Sequence, residues 1–595
     1  MHCVSADGRP PHARTGCSAD HTNLLVGTSW RAPSACVFRA MKEAPTRSRI
    51  VERSSLIGLQ IFHPVVLYRS MKYGEKLMVK RRWWGAFLSI MLLIVGVESV
   101  RAVEYGEVVQ RNGEWVFRST EDPVLKLMLT KGLITNERYL EVSAQKGKNW
   151  IEPADAVLNL RRDIEWNRYV KTAMHLPDWI DLGLENRTRF ESYDHPWRAT
   201  QVAGGGGTDA QLALRSRARV GLGGKGPFRF LFEGQDSREL SNDEPGDFRN
   251  NTTVNQFDIL QLFGSVTVNN VGGSGLRTDL HFGRMTMDFG MRRYVARNDF
   301  RNTTNAFDGV HWQIGEGQTW RFRAFLVEPV IRKLEQLDEQ TAKSVFWGAY
   351  AESQHFPWFN VNAYYFGLND QQQQNKNLHR TYSTFGLRLF KSPAINEFDY
   401  EFEGAVQTGR LGNVDHFAYN PNVEAGYTFN LPWTPRFLAQ YAYSSGSRTP
   451  GGSQDGNFDI LFGARRFDLT PTGIWGPFFR SNISAPGWRL SAQPADNVTV
   501  SVKQRFWYLA QATAAFVGSG LQDPTGGSGN YLGHDLELRA QWAPLWAMRQ
   551  NLDFDFGYVH WFKGSYFDSP AIIAQMPAGG NKDSDYFYAS VRVRL

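Results

Sequence analysis

The sequence predicts an all-β protein, a transmembrane antiparallel β-barrel of about 18 strands preceded by a short helical N-terminal segment. Three observations carry that expectation. From Trp179 to Leu595, stretches of about ten residues alternate apolar with polar, separated by turns rich in Gly, Asn, Asp or Pro, which is the period-two pattern of strands with one greasy and one wet face. The wet faces carry charged side chains in strand after strand, too many to line a dry core. After residue 102 there is no cysteine and no second long apolar run, so any entry into a membrane is by strands.

Charge is unevenly spread. Of 66 Lys and Arg and 59 Asp and Glu, residues 1–102 hold 15 and 6, which leaves 51 basic and 53 acidic residues, a net charge of −2, in 103–595. The overall excess of +7 therefore belongs to the leader and gives no reason to expect a nucleic-acid partner. All three cysteines, Cys3, Cys17 and Cys36, lie there too. Lys80, Arg81 and Arg82 precede an apolar stretch from Trp83 to Val97, then Val100-Arg101-Ala102, the three parts of a secretory signal peptide over 78–102. Met71 or Met78 is the expected start, and residues 1–77 are expected to be a disordered upstream extension absent from the mature protein. Residues 103–176 are expected to form an N-terminal periplasmic segment. In it Asp122-Pro123 caps one short helix ending at Gly132, and Thr135 caps a second running to about Ser143.

The barrel is expected over 177–595. In 211–222 Leu212, Leu214, Ala218, Val220 and Leu222 oppose Arg215, Arg217 and Arg219, and in 319–327 Trp320, Phe322, Ala324 and Leu326 oppose Arg321 and Arg323. Phe398, Tyr400 and Phe402 oppose Asp399, Glu401 and Glu403, and Leu536 and Leu538 oppose Asp535, Glu537 and Arg539. Strands are expected to start near 179, 211, 227, 256, 277, 308, 319, 343, 358, 380, 396, 416, 435, 457, 495, 531, 549 and 583, with the longest gaps at 238–255 and 465–494. Trp179, Trp197, Trp347, Trp358, Trp507, Trp542, Trp546 and Trp561 fit interfacial girdles or, equally, core positions.

The stretch Phe282–Val310 holds Arg284, Arg292, Arg293, Arg297 and Arg301 among aromatic and turn-forming residues, close to Arg277. Guanidinium density of that kind suits a surface that holds anions, or one whose arginines pair with Asp288, Asp299 and Asp308. The run Gly283-Arg284, Phe289-Gly290, Arg293, Arg297-Asn298, Arg301-Asn302-Thr303 and Phe307-Asp308-Gly309 resembles the signature of the alginate export family of outer-membrane porins. GAVQTG at 404–409 and the segments 424–427, 441–446 and 458–462 are similar in a looser way, and Ser445-Gly446-Ser447 departs from the family's usual Ser-Gly-Asp. The resemblance implies a monomeric outer-membrane barrel whose arginine-lined constriction passes an anionic polysaccharide.

The candidate substrate-binding residues are Arg215, Arg217, Arg219, Arg284, Arg292, Arg293, Arg297, Arg321 and Arg323. The alternatives are a less selective diffusion porin for small anionic or neutral solutes and an outer-membrane hydrolase. For a hydrolase, His281, His311, His534 and His560 are the side chains to search, but no Ser/His/acid grouping is legible. No nucleotide loop or metal-spaced cluster appears, so no cofactor and no enzyme activity are expected. Export then draws on energy or polymer growth elsewhere, which implies periplasmic secretion partners beside the outer-membrane lipid.

Overall fold

The computed structural model describes residues 106–111, 114–119 and 174–594, with breaks of which the longest are 200–207, 242–248, 372–378 and 545–551. Gly106–Arg111 and Glu114–Ser119 pair as an antiparallel hairpin not expected from the sequence. The expected extension at 1–77, the signal peptide at 78–102 and the two short helices near 122–143 lie outside the described residues.

Alternation closes the rest of the chain into one barrel of eighteen long strands among the described residues. In order these are β1 (Ile180–Asp194), β2 (Thr208–Leu222), β3 (Phe228–Ser241), β4 (Asn255–Val268), β5 (Arg277–Met285) and β6 (Phe307–Glu316). Then follow β7 (Trp320–Ile331), β8 (Ser344–Ser353), β9 (Asn360–Asp370), β10 (Arg380–Lys391), β11 (Phe398–Leu411) and β12 (Val414–Thr428). The last six are β13 (Arg436–Ser444), β14 (Ile483–Ala495), β15 (Val498–Tyr508), β16 (Tyr531–Trp542), β17 (Leu552–Lys563) and β18 (Ser584–Arg594). The seam is the β18–β1 ladder, from Tyr586 opposite Tyr193 to Arg594 opposite Glu185. Closure removes the unpaired edges that lipid would not tolerate.

Side chains sort by parity. On β2, Gln211, Ala213, Arg215 and Arg217 are buried inside, while Leu212 and Leu214 look out. Leu184, Phe230, Phe282, Leu326, Phe385 and Phe402 are exposed on the outer wall, an apolar belt suited to lipid rather than water. Connections at one end are short, as at 223–227 and 317–319, whereas the other end carries 286–306, 445–482, 509–530 and 564–583. Short turns face the periplasm and long loops the exterior in barrels of this kind.

The long loops fold inward and make the apolar cores inside the lumen. Met287, Phe289, Tyr294 and Val295 of loop 286–306 pack with inward-facing Phe325, Phe346, Tyr350, Tyr364 and Phe366, and Phe458 joins them. Trp475, Phe478, Phe516, Phe567 and Ile572 from the other long loops pack with Trp197, Trp507, Trp561 and Tyr586. Full burial of each such ring stabilises the infolded state by about 1.5–3 kcal/mol.

Two sequence expectations change here. The strand expected near 457 is reduced to the two residues Gln454–Asp455 beside β12: Phe458 to Ala464 runs inside the lumen without pairing as a strand, and its apolar character comes from packing against loop 286–306. The missing strand is β14, inside what reads as a loop at 465–494. Pro486 and Gly487 disguise it, and the β14–β15 register skips Ala485 and Pro486. Of the tryptophans, Trp179 and Trp358 are exposed near the barrel rim, but Trp197, Trp507 and Trp561 belong to the lumenal core, and Trp546 lies outside the described residues.

Candidate functional site

The site is the place where loop 286–306 crosses the lumen and is pinned by arginines from the wall. Strands β1 and β2 present Arg187, Arg189, Arg215 and Arg217 on adjacent inward rows, because alternation puts Thr188, Phe190, Leu214 and Ser216 on the other face. Arg187 donates to the carbonyls of Asp299 (2.6 Å) and Arg301 (3.1 Å) and to Asn302 Oδ1 (3.1 Å). Arg215 donates to the same carbonyls at 2.9 and 3.2 Å, and Arg189 to that of Phe300. The Asp299 carboxylate takes Arg215 (2.8 Å), Arg217 (3.1 Å) and, across the seam, Arg592 (2.9 Å). Burial alone would raise the Asp299 carboxyl, but Arg215, Arg592, Arg217 and Arg187 overcome it and hold the group well below the usual carboxylate range. Asn302 Nδ2 donates to the carbonyls of Leu214 (3.1 Å), Arg238 (3.0 Å) and Thr253 (2.8 Å), so the loop's turn is built into the wall.

A second pin lies across the lumen. Arg293 is 1% exposed and is bonded to Asp468 at 2.8 Å and to Glu401 and Glu403 of β11, with Glu424 of β12 at 3.5 Å. Burial opposes its charge, yet the four carboxylates outweigh that and keep the guanidinium well above its ordinary range. Asp468 belongs to loop 445–482, and the two loops are laced as a short parallel ladder. Phe462 N donates to Tyr294 O (2.9 Å), Ala296 N to Phe462 O (3.1 Å) and Ala464 N to Arg292 O (2.8 Å). The backbones approach so closely that a Cβ at Gly463 would overlap the Arg293 carbonyl. The two infolded loops therefore act as one body narrowing the channel.

The nine predicted arginines fall into distinct settings. Arg215, Arg217 and Arg293 are buried and bonded to the protein's own acids and carbonyls. Arg284 and Asp308 form a bidentate pair at 2.8 and 2.9 Å on the face of β5 and β6 opposite the lumenal Met285 and Phe307, so Arg284 belongs to the wall. Arg297 bonds Glu233 and Thr286 Oγ1 (3.1 Å), and Arg292 is half-buried in the left-handed region at φ 60°. Arg321 and Arg323 share Glu352 at 2.6 and 2.8 Å, with Arg321 35% open, and Arg219 on the inward face near the periplasmic end of β2 is exposed. Arg187, Arg189 and Arg592 also bond loop 286–306, and sequence reasoning missed them. The signal was there in Arg187-x-Arg189-x-Glu191, which alternates with Thr188 and Phe190. Inward-facing acids have cations beside them in the lumen: Glu537, expected from alternation, with Arg466 (2.8 Å), and likewise Asp555 with Arg539 (2.9 Å) and Asp553 with Arg592 (3.0 Å). Among the described residues no group of three or more His, Cys, Asp or Glu side chains has the geometry to hold a metal.

A closed antiparallel barrel with a lipid-suited exterior and a charged lumen narrowed by infolded loops defines an outer-membrane porin. The chain belongs to the alginate export family, whose model matches residues 178–575, the part that builds the barrel. No curated protein matches the sequence. Solved structures similar to the chain include Pseudomonas aeruginosa OccK5 (OpdH), at 13% identity and a TM-score of 0.47, covering 70% of this chain and 98% of that one. Pseudomonas aeruginosa OpdQ is 14% identical with a TM-score of 0.46, covering 70% and 98%, and these are likenesses of overall fold only.

Proposed function

We propose that this outer-membrane porin exports an anionic, alginate-like polysaccharide through its lumen. The observation that carries the reading is the convergence of guanidinium groups from β1, β2, β7 and β18 on the loop that narrows the channel. A uronate polymer offers a carboxylate on each sugar, and planar guanidinium binds carboxylate bidentately while staying charged. In a narrow channel with low-dielectric walls those charges are less screened than in bulk water, so few are needed to favour a polyanion. Transport also needs contacts weak enough to release the chain. Arg219, Arg292, Arg297 and Arg321, each at least partly open, are the proposed contacts, and Arg215, Arg217, Arg293 and Arg323 hold the constriction in shape. The barrel carries no energy source of its own in this reading, so the polymer is delivered by periplasmic secretion components.

The pairing of most lumenal arginines with acids favours one competing reading, a less selective diffusion porin for small anionic or neutral solutes. Reversal potentials under a KCl gradient and current blockade by oligogalacturonates against neutral maltooligosaccharides separate the two. The export reading expects anion preference and blockade that strengthens with uronate length and weakens in R219Q/R321Q. Cation preference, or equal blockade by charged and neutral oligomers, refutes it.

A further inference from the structure

Arg198, Arg301, Arg332 and Arg465 are arginines that make no ion pair among the described residues. Arg198 follows β1, Arg301 lies in loop 286–306, Arg332 follows β7 and Arg465 lies in loop 445–482, so all four belong to segments joining strand ends on the long-loop side. Arg301 Nη2 and Arg332 Nη1 share one acceptor, Asn305 Oδ1, at 2.6 and 2.8 Å, which brings two guanidinium groups side by side over a neutral amide. Their remaining bonds go to the carbonyls of Thr303 (3.2 Å) and Asn251 (2.9 Å). Arg465 lies over the Phe479 ring at 3.8 Å and donates to the Gly476 carbonyl at 2.9 Å, and Arg198 lies over Trp197 at 4.3 Å. All four are half-buried.

This grouping contrasts with the pins, where Asp299 pairs with Arg215, Arg217 and Arg592 and four carboxylates surround Arg293. A guanidinium has five donors. Arg301 Nη1 and Arg332 Nη2 have no acceptor among the described residues, and neither atom is a buried orphan. Burial, then Arg332 and Arg465, drive the Arg301 guanidinium well below its usual range, and burial, then Arg198 and Arg480, push Arg465 down to about 9. Asp338 is the acid that acts on Arg332, while the charges acting on Arg301 and Arg465 are those of other arginines, and like charges with so little counter-charge are relieved by a bound anion.

We propose that Arg198, Arg301, Arg332 and Arg465 form a second anion-binding row on the extracellular face of the infolded loops, which receives the carboxylates of the polysaccharide as they leave the constriction. Arg301 and Arg332 are joined through Asn305, and Arg465 and Arg198 lie in two other segments on the same long-loop side. Neutral holding groups fix the forks without competing for the carboxylate. The inference rests on the export reading, and it adds a site that the strand pattern did not contain.

The test is side-specific blockade of the full-length protein in planar bilayers by oligogalacturonate, with inorganic phosphate as a second probe. In R332Q/R465Q the half-blocking concentration of oligogalacturonate added from the extracellular side is expected to rise about tenfold. Blockade from the periplasmic side is expected to stay within about twofold of wild type. R332K/R465K keeps the charge and is expected to recover part of the loss. An unchanged extracellular value, or an equal change from both sides, overturns the row while leaving the export reading intact. Absence of uronate blockade in the wild type from either side refutes the export reading itself. Phosphate blocking as strongly as oligogalacturonate overturns the assignment to a polysaccharide. Should the double variant not fold, R198Q is the substitute, because Arg198 makes no hydrogen bond to the described residues, and the same side-specific loss is expected.

Discussion

Arg293→Met tests the claim that the two infolded loops act as one body. Methionine keeps an apolar stem in the same space, but four carboxylates lose their shared cation. Glu401 retains Arg388 and Asp468 retains Arg480, whereas Glu403 keeps only the Tyr364 hydroxyl at 2.9 Å. At least one buried carboxylate is then uncompensated. Removing one partner of a buried ion pair costs about 3–5 kcal/mol. No barrel strand loses a backbone bond, so the penalty falls on docking of the loops. At about 1.4 kcal/mol per decade, the undocked fraction rises by about 10²- to 4 × 10³-fold. Single-channel recording reads this as a new high-conductance state, while heat-modifiable migration on gels reports an intact barrel. Wild-type conductance in the variant, with no new open state, refutes the reasoning.

Phe462→Pro removes the bond from its amide to Tyr294 O and places a ring in the inter-loop ladder, and the buried carbonyl left unpaired costs about 1–3 kcal/mol. Larger open-channel conductance without loss of barrel folding is expected, and unchanged conductance counts against the ladder as a structural tie. Loop 332–343 is tied to β4 by Asp338, whose Oδ1 accepts from Asn255 (2.7 Å) and whose amide donates to Asp258 Oδ1 (3.1 Å). Burial, then the Asp258 carboxylate, push the Asp338 carboxyl up to about 8, so the docked loop prefers the proton. Its contribution is complete below the ordinary carboxylate value of 3.8 and is lost as pH rises through about 8. Hydrogen-exchange protection of Gln256, whose amide donates to Leu334 O at 2.9 Å, should fall between pH 6 and pH 9 on the order of tenfold in wild type and stay level in D338N.

Strand positions were largely legible in the sequence because they depend on neighbours one and two residues away. β5 starts at Arg277, β10 at Arg380 and β16 at Tyr531, where the alternation itself begins. β14 was hidden because Pro486 and Gly487 break the local pattern without breaking the ladder to β13, where Pro486 faces Tyr441. The stretch near 457 looked like a strand because apolar residues packed inside a lumen follow the same local rule as those facing lipid.

By itself, the sequence determined a membrane barrel with an arginine-bearing lumen and an arginine-rich stretch at 282–310, since period two and side-chain chemistry are local properties. Only the tertiary structure decided what each arginine does. Arg187 meets the backbone of Asp299 across 112 positions of the chain, and Arg293 meets Asp468 across 175. A guanidinium is bound or open according to which distant carbonyl or carboxylate the closed barrel brings to it, and no local pattern encodes that meeting.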